Sequence, residues 1–413
     1  MTIKTNQSLL KLFSYLIVFI SYISLQLGFF YNEDFVGGAK VDFVTYQSWI
    51  KIFLEDFKYY FFNYDKLGER HSPVIILYFT LLHKIGLTDT IIRYIHINIA
   101  VLIFFYFYKC LKIKFQNTNN YLLILFSSLI FLSPTLRALA IWPDSRIYGL
   151  FFFVISLFYY LKFEREKKIL NAYYNVFFLA ISSYISPNFS IFSIFFFLNY
   201  YLTFGLGKNI LKIVLLNFAL AFPAFYYLFI LDVMFLFGGT PGDLTLEGEI
   251  PNRLNFFNKI ILISSLIFFY ILPLIISKTI NLNKFNLKQI ILALIIFIPS
   301  VFFYDYKLDY TGGGIFFHIS NKFFENNIFL FLVSFLSIAI IFNINDKKSY
   351  NLLLVILLIV SNPQLTIYHK YYDPLLIIIS LTIFKLKFNK LSLKKYLILF
   401  GYLITFLGVS IIY

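Results

Sequence analysis

Apolar runs about as long as a bilayer crossing recur from one end of the chain to the other. They lie at 9–31, 90–109, 120–134, 146–163, 169–186, 188–206, 210–237, 258–277, 289–303, 327–344, 350–361, 374–385 and 393–412, which predicts an all-α polytopic membrane protein of about 13 transmembrane helices. Runs 350–361 and 374–385 are short and must borrow flanking residues or tilt little. A further stretch, Pro73 to Gly86, is shorter than a crossing and carries Lys84 near its end. Between the first two runs, 42–62 reads DFVTYQSWIKIFLEDFKYYFF. Tyr46, Ile50, Phe53, Phe57 and Tyr60 share one helical face, and Gln47, Lys51, Glu55 and Lys58 fall away from it. That pattern predicts an amphipathic helix in the membrane interface, with Trp49 and the tyrosines at headgroup level. The other polar segments are 135–145, 238–257, 304–326 and 362–373, and no internal repeat or Gly/Ser linker separates the runs.

Composition narrows the class. The 413 residues are 60% apolar and 13% charged, with a mean hydropathy of +0.80, where an ordinary soluble domain is about 25% charged. A soluble enzyme, a disordered chain and a fibrous protein are excluded, and no soluble domain fits between the runs. We divide the chain into an N-terminal membrane module, 1–206, and a C-terminal set of spans, 207–413. The run 9–31 is too long and bulky for a signal peptide and reads as an uncleaved first span. Cys110 alone gives no disulfide framework and no multi-Cys metal site. The 56 Phe and 33 Tyr accompany abundant Ile, Asn and Lys, the signature of an AT-rich coding sequence rather than of an aromatic ligand path.

Charge sets the orientation. Lys and Arg number 35 against 20 Asp and Glu. With the N-terminus inside and 73–86 not crossing, the inside segments hold 21 of the basic residues and three acids, Glu164, Glu166 and Asp346. That leaves 14 basic and 17 acidic residues elsewhere, the asymmetry the positive-inside rule expects. The stretch 73–86 is therefore placed as a half-buried helix on the outer face, within an outer loop 32–89, and the C-terminus ends outside.

Nearly every acid then falls outside, several at span ends. Asp42 opens the interfacial helix, Asp144 follows Trp142-Pro143, and Asp373 precedes Pro374. Each can cap a helix or do chemistry. The outer basic residues are few: Arg70, His71, Arg93, Arg137, Arg146, Arg253, Lys307 and Lys370. They suit headgroup contact or, if they converge, phosphate recognition. His71, His83, His318 and His369 are also outside and His96 is near an outer end, but no HxxxH or HxxE spacing marks a metal site. Gly312-Gly313-Gly314 lacks the GKS/GKT of a phosphate loop and reads as a turn.

The order of these features resembles a C-type (GT-C) glycosyltransferase, most closely the branch with the dolichyl-phosphate-mannose protein mannosyltransferases and the lipid A aminoarabinose transferase. That family has an Asp in a D-E-x-x-Y setting on a surface helix after the first span. Asp42-Phe43-Val44-Thr45-Tyr46 keeps the Asp and Tyr and has Phe43 in place of Glu. A basic or His residue before proline then opens a short outer helix, matched by Arg70-His71-Ser72-Pro73 through Gly86. Arg93 matches the Arg opening the next span, and Asp144 the second outer-loop Asp. The resemblance covers roughly 9–165 and is only topological beyond 210. It implies an inner-membrane enzyme that transfers a sugar from a polyprenyl-phosphate donor to a lipid, glycan or protein acceptor on the outer face. Phosphate leaves without a proton, so one base suffices, in contrast to a glycosidase. Asp42 is the candidate base, with Asp144 orienting the acceptor or sharing that role. The departing phosphate needs positive charge from Arg70, His71, Arg93 or Lys370, or from a divalent metal ion. Tyr46, Arg137 and Tyr372 complete the expected substrate-binding set. Two other classes remain open: an O-antigen polymerase or ligase working through Arg253, Lys307 and Lys370, and a flippase or transporter. The latter usually shows repeat symmetry and mid-membrane charge, whereas here Asp232, the deepest acid, lies near an outer end.

Overall fold

The computed structural model describes residues 7–35, 38–67, 72–231, 255–308, 312–344, 349–362 and 366–412. Among these, regular structure is helical, with one isolated antiparallel bridge between Ile280 and Phe388. Among the described residues, six stretches are long and apolar enough to cross a membrane: α1 (Gln7–Phe30), α5 with α6 (Asp89–Lys114), α9 (Ser145–Glu166), α12 with a π-helical turn (Lys208–Ile230), α13 (Phe256–Ile276) and α19 (Leu393–Ile411). A seventh is bent by 72° between Asn120–Leu132, which contains α7 (Asn120–Ser128), and α8 (Pro134–Ile141). Five shorter apolar helices accompany them: α4 (Val74–Lys84), α10 (Ile169–Ile185), α14 (Leu287–Phe302), α16 (Ile328–Ile344) and α17 (Tyr350–Val360). The chain is a helical membrane protein. It forms two compact units, Met1–Glu247 with Leu403–Tyr413, and Gly248–Tyr402.

In the first unit α9 is the central helix. It has no single apolar stripe, and Phe153, Val154, Leu157 and Tyr160 are all buried, as befits a helix enclosed on every side. It packs on α6 and α10. Small and polar residues join α9 to α10, as in membrane helix pairs generally. Gly149 lets the backbones close, because a Cβ there would stand 2.6 Å from the Ser186 Cβ. Ser182 donates to the Gly149 carbonyl (2.7 Å), Asn175 donates to Ser156 Oγ (2.7 Å), and Tyr200 donates to Asn175 Oδ1 (2.6 Å).

Two sequence expectations change here. Segment 135–145 is not an open loop. Ser133 accepts from Leu136 N (2.8 Å) and Pro134 takes the first position, so a helix starts, and all eight residues of α8 are buried. The interfacial helix expected over 42–62 is two helices, α2 (Ala39–Glu55) and α3 (Phe57–Phe62). Asp56 breaks it by capping α3, accepting from Tyr59 N (2.9 Å). Tyr46, Ile50 and Phe53 are buried as the spacing predicted, together with Phe43, whereas Phe57 beyond the break is 40% exposed. The expected short helix over 73–86 forms as α4 and packs on α2.

The second unit is built on α13. Ser334 and Ser337 of α16 donate to the carbonyls of Ile261 (2.8 Å) and Ser264 (2.5 Å), so the two helices run parallel in register. Between them α14 runs back, with Phe303 just past its end stacked on Phe257 near the start of α13. Segment 304–326 contains a helix, α15 (Gly314–Phe324). The run 374–385 contains only the eight-residue α18 (Leu375–Thr382). Beyond α13, Asn281 N donates to Lys387 O (3.0 Å) and Asn389 N to Thr279 O (2.8 Å), which closes that end of the unit.

Candidate functional site

Asp42 and Asp144 meet on one guanidinium. Asp144 precedes α9 and accepts from Arg146 N (2.6 Å), capping the helix as its position suggested. The same carboxylate takes Arg146 Nε (2.9 Å) and Nη2 (2.7 Å), a two-point fork that fixes the arginine. Arg146 Nη2 also donates to Asp42 Oδ2. Asp42 does not cap α2. Gly38, at φ 86°, occupies the cap position, and Asp34 accepts from Ala39 N (3.2 Å) and Lys40 N (3.3 Å). Asp42 sits in the first turn of α2. Its side chain is 41% exposed, against 15% for Arg146 and 3% for Asp144. The trio carries a net charge of −1 when both acids are ionised, with its open edge at Asp42.

The platform behind the trio is Trp142, 6% exposed. Arg93 lies over its ring at 3.6 Å and is held by donating to Ile141 O (3.2 Å) and Asn32 Oδ1 (2.9 Å). Phe43 packs on the indole, and Lys40 Nζ lies 5.5 Å from its centroid. The indole N–H donates to Glu33 O (3.1 Å). The Glu33 carboxylate in turn takes both Nε and Nη2 of Arg137 at 2.6 Å. Arg137 was expected as a substrate ligand. It is instead buried in this pair, with Nη2 also donating to Ser24 O (3.1 Å), because α8 is an interior helix and its one charge needs a partner there. Tyr46, one turn after Asp42, is buried against Phe79 and Trp49. Gln47 Nε2 and His83 Nε2 both reach the Asp89 carboxylate (2.7 and 3.1 Å), fastening α2 and α4 to the start of α5 (Asp89–His96). His96 is fully enclosed. Its Nε2 lies 2.7 Å from Leu139 O, which can only accept, so Nε2 carries the proton and Nδ1 accepts from the Tyr148 hydroxyl (3.0 Å).

A cavity of about 490 Å³ lies elsewhere in this unit, lined by Ser72, Leu179, Ser183, Tyr184, Asn217 and Ala221, among others. In its wall a side-chain hydroxyl meets the backbone of α12. Tyr184 donates to Leu220 O (2.6 Å) and accepts from Ala224 N (3.2 Å), so its hydroxyl stands between the two groups of α12 beside Pro223.

The other expected site residues fall outside the described residues or in the second unit. Arg70 and His71 lie outside the described residues, as do Asp232 and Arg253. Lys370 and Tyr372 belong to the second unit, where Lys370 Nζ lies over the Tyr368 ring (4.9 Å) and buried Tyr372 donates to Leu358 O (3.3 Å). Asp373 is not a side-chain cap of α18; Pro374 holds that position. Among the described residues no group of three or more His, Cys, Asp or Glu side chains could hold a metal ion. Sequence reasoning missed the central position of Arg146, although its spacing from Asp144 signals a local fork. It also missed Glu33 and Trp142, whose partners lie about a hundred residues away in the chain. No protein-family model matches the chain, and no match was found among curated proteins or solved structures.

Proposed function

We propose that this chain is a GT-C-type glycosyltransferase of about 13 crossings, seated in the inner membrane with a cytoplasmic N-terminus. It moves a sugar from a polyprenyl-phosphate donor to a lipid, glycan or protein acceptor at the outer face, with inversion. The observation that carries this reading is the junction of Asp42 and Asp144 on Arg146, two acids chosen from the sequence for the same reaction. In the reaction the acceptor hydroxyl oxygen attacks the anomeric carbon, and the bond from that carbon to the phosphate oxygen breaks. Polyprenyl phosphate leaves unprotonated, and the acceptor proton passes to Asp42, the more open carboxylate. Arg146 aims Asp42, while Asp144 keeps Arg146 in place. Arg93 on its Trp142 platform is the cation for the departing phosphate.

The test is transfer from a polyprenyl-phosphate sugar in reconstituted membranes, comparing wild type with Asp42→Asn. Loss of transfer at normal expression supports Asp42 as base, and full activity refutes it. One feature favours a second reading. The helices α15 and α18 of the second unit are half-length, as in the discontinuous spans of transporters. Wild-type protein that moves lipid-linked sugar across the bilayer without transferring it would establish that reading instead.

A further inference from the structure

The end of the first unit away from the trio collects positive charge. α9 starts at the trio, and its 22 residues carry it about 33 Å, the depth of a bilayer core. α6 (Asn98–Lys114) runs beside it in the same direction. His96, just before α6, meets Tyr148 early in α9, and Tyr106 of α6 packs on Phe158 late in it. Both helices therefore finish at the same end. Lys109, Lys112 and Lys114 on α6 stand there with Lys162 and Arg165 on α9, against Glu164 and Glu166.

Two of these lysines fold back over their own helices. A helical side chain leans over the turn before it, and because both helices end here, that direction is into the membrane. Lys109 Nζ lies 4.2 Å from the centre of the Phe105 ring and 4.8 Å from that of Tyr106. Lys162 Nζ lies 5.2 Å from Phe158 and 5.9 Å from Tyr159. Phe158 is shared, since Lys109 Nζ is 5.6 Å from its centre as well. Ammoniums from two helices thus converge on one ring, and neither forms an ion pair with a carboxylate among the described residues. Glu166 bonds Lys168 (3.4 Å) and Asn171 (3.3 Å) and meets Lys162 only through space. The two like charges repel, and attraction to the rings offsets part of that repulsion. An anion between them satisfies both.

The surface below Lys109 decides which anion fits. Leu102 and Phe105 precede it at helical spacing on α6 and are 41% and 44% exposed. Going inward, this face reads ammonium, aromatic ring, aliphatic side chain, which is the order of phosphate, glycerol and acyl chain in a phospholipid. A free phosphate ion makes no use of the apolar part. We propose that the seam between α6 and α9 binds an anionic membrane phospholipid, its phosphate between Lys109 and Lys162 and an acyl chain along Phe105 and Leu102. A zwitterionic lipid carries its own cation and gains less there. This site lies a bilayer's depth from the trio and is independent of the transferase reading.

Native mass spectrometry of the full chain in detergent tests it, by titration with phosphatidylglycerol or with phosphatidylcholine of the same acyl chains. Wild type is expected to bind the first phosphatidylglycerol at least about tenfold more tightly than phosphatidylcholine. Lys109→Gln with Lys162→Gln should erase that preference, and Lys109→Arg with Lys162→Arg should keep it. Lys208→Gln with Lys212→Gln removes the same charge from α12 and should leave the preference intact. Equal affinity of wild type for the two lipids overturns the site, as does an unchanged preference in the Lys109, Lys162 Gln variant. An equal loss in the Lys208, Lys212 variant overturns it too, because the preference is then one of net charge. Inorganic phosphate that displaces phosphatidylglycerol at equal concentration overturns the lipid assignment. Each variant must elute as a monodisperse peak; if the double Gln variant does not, its two single variants are read instead, each with about a threefold loss expected and an unchanged preference in both overturning the site.

Discussion

Removing Glu33 strands a buried arginine. Arg137 is 7% and Glu33 3% exposed at the side chain, and two bonds of 2.6 Å join them. In Glu33→Gln the amide keeps the shape but not the charge, and the guanidinium keeps its bond to Ser24 O. Breaking a buried ion pair from one side costs about 3–5 kcal/mol, while replacing both partners with apolar groups is often neutral. At roughly 2 °C per kcal/mol for a chain this large, the single variant should lower the thermal midpoint by about 6–10 °C. The assay is the temperature at which half the protein leaves the monodisperse peak in size-exclusion chromatography. The double variant Glu33→Met with Arg137→Leu should recover most of the loss. If Glu33→Gln melts within about 2 °C of wild type, or the double variant is worse than the single, the pair is not the buried junction described.

Gly28→Ala should act on the same pair, since its Cβ would collide with Glu33 Oε2, and a lowered midpoint absent from the Glu33→Met, Arg137→Leu background would locate the clash. Arg146→Gln should abolish most sugar transfer, by about 100-fold or more if the arginine both aims Asp42 and holds Asp144; Arg146→Lys, which loses the fork, should restore little of it, and near-wild-type transfer in either variant would remove Arg146 from the site. Tyr184→Phe should cost about 1–3 kcal/mol, because it removes the hydroxyl's bonds to Leu220 O and Ala224 N beside Pro223, and an unchanged midpoint would mean that the two groups satisfy each other. Gly149→Val should prevent α9 and α10 from closing and give little folded protein, read as loss of the monodisperse peak.

Hydrophobic period carried much of this architecture. Runs 9–31, 90–109, 146–163, 258–277 and 393–412 each appear as a long helix, and the short helix after Pro73 forms where its length and Lys84 suggested. The misreadings have physical causes. Segment 135–145 read as a loop because Arg137 and Asp144 are polar, but both are neutralised by partners that one sequence cannot reveal. The helix over 42–62 was drawn through Asp56, whose carboxylate can restart a helix as easily as lie on its polar face. Run 374–385 holds only the eight-residue α18, because a Leu- and Ile-rich composition does not by itself fix helix length. At the site, Asp42 and Asp144 were legible from their places beside predicted spans. Their junction was not, because Arg146 reads equally well as a headgroup contact until α2 is docked.

Both ion pairs that fasten the segment after α1 to the rest of the first unit, Glu33 with Arg137 and Asp42 with Arg146, join residues 104 apart in sequence. At a synthesis rate of about 5–20 residues per second, the ribosome needs about 5–20 s to make the second partner after the first. During that interval Glu33 has no arginine and α2 has no anchor on α9. The order of synthesis therefore leaves this stretch waiting at the membrane until α8 and α9 arrive, and a pause placed between codons 42 and 146 would lengthen its exposure to proteases and chaperones without changing a single residue.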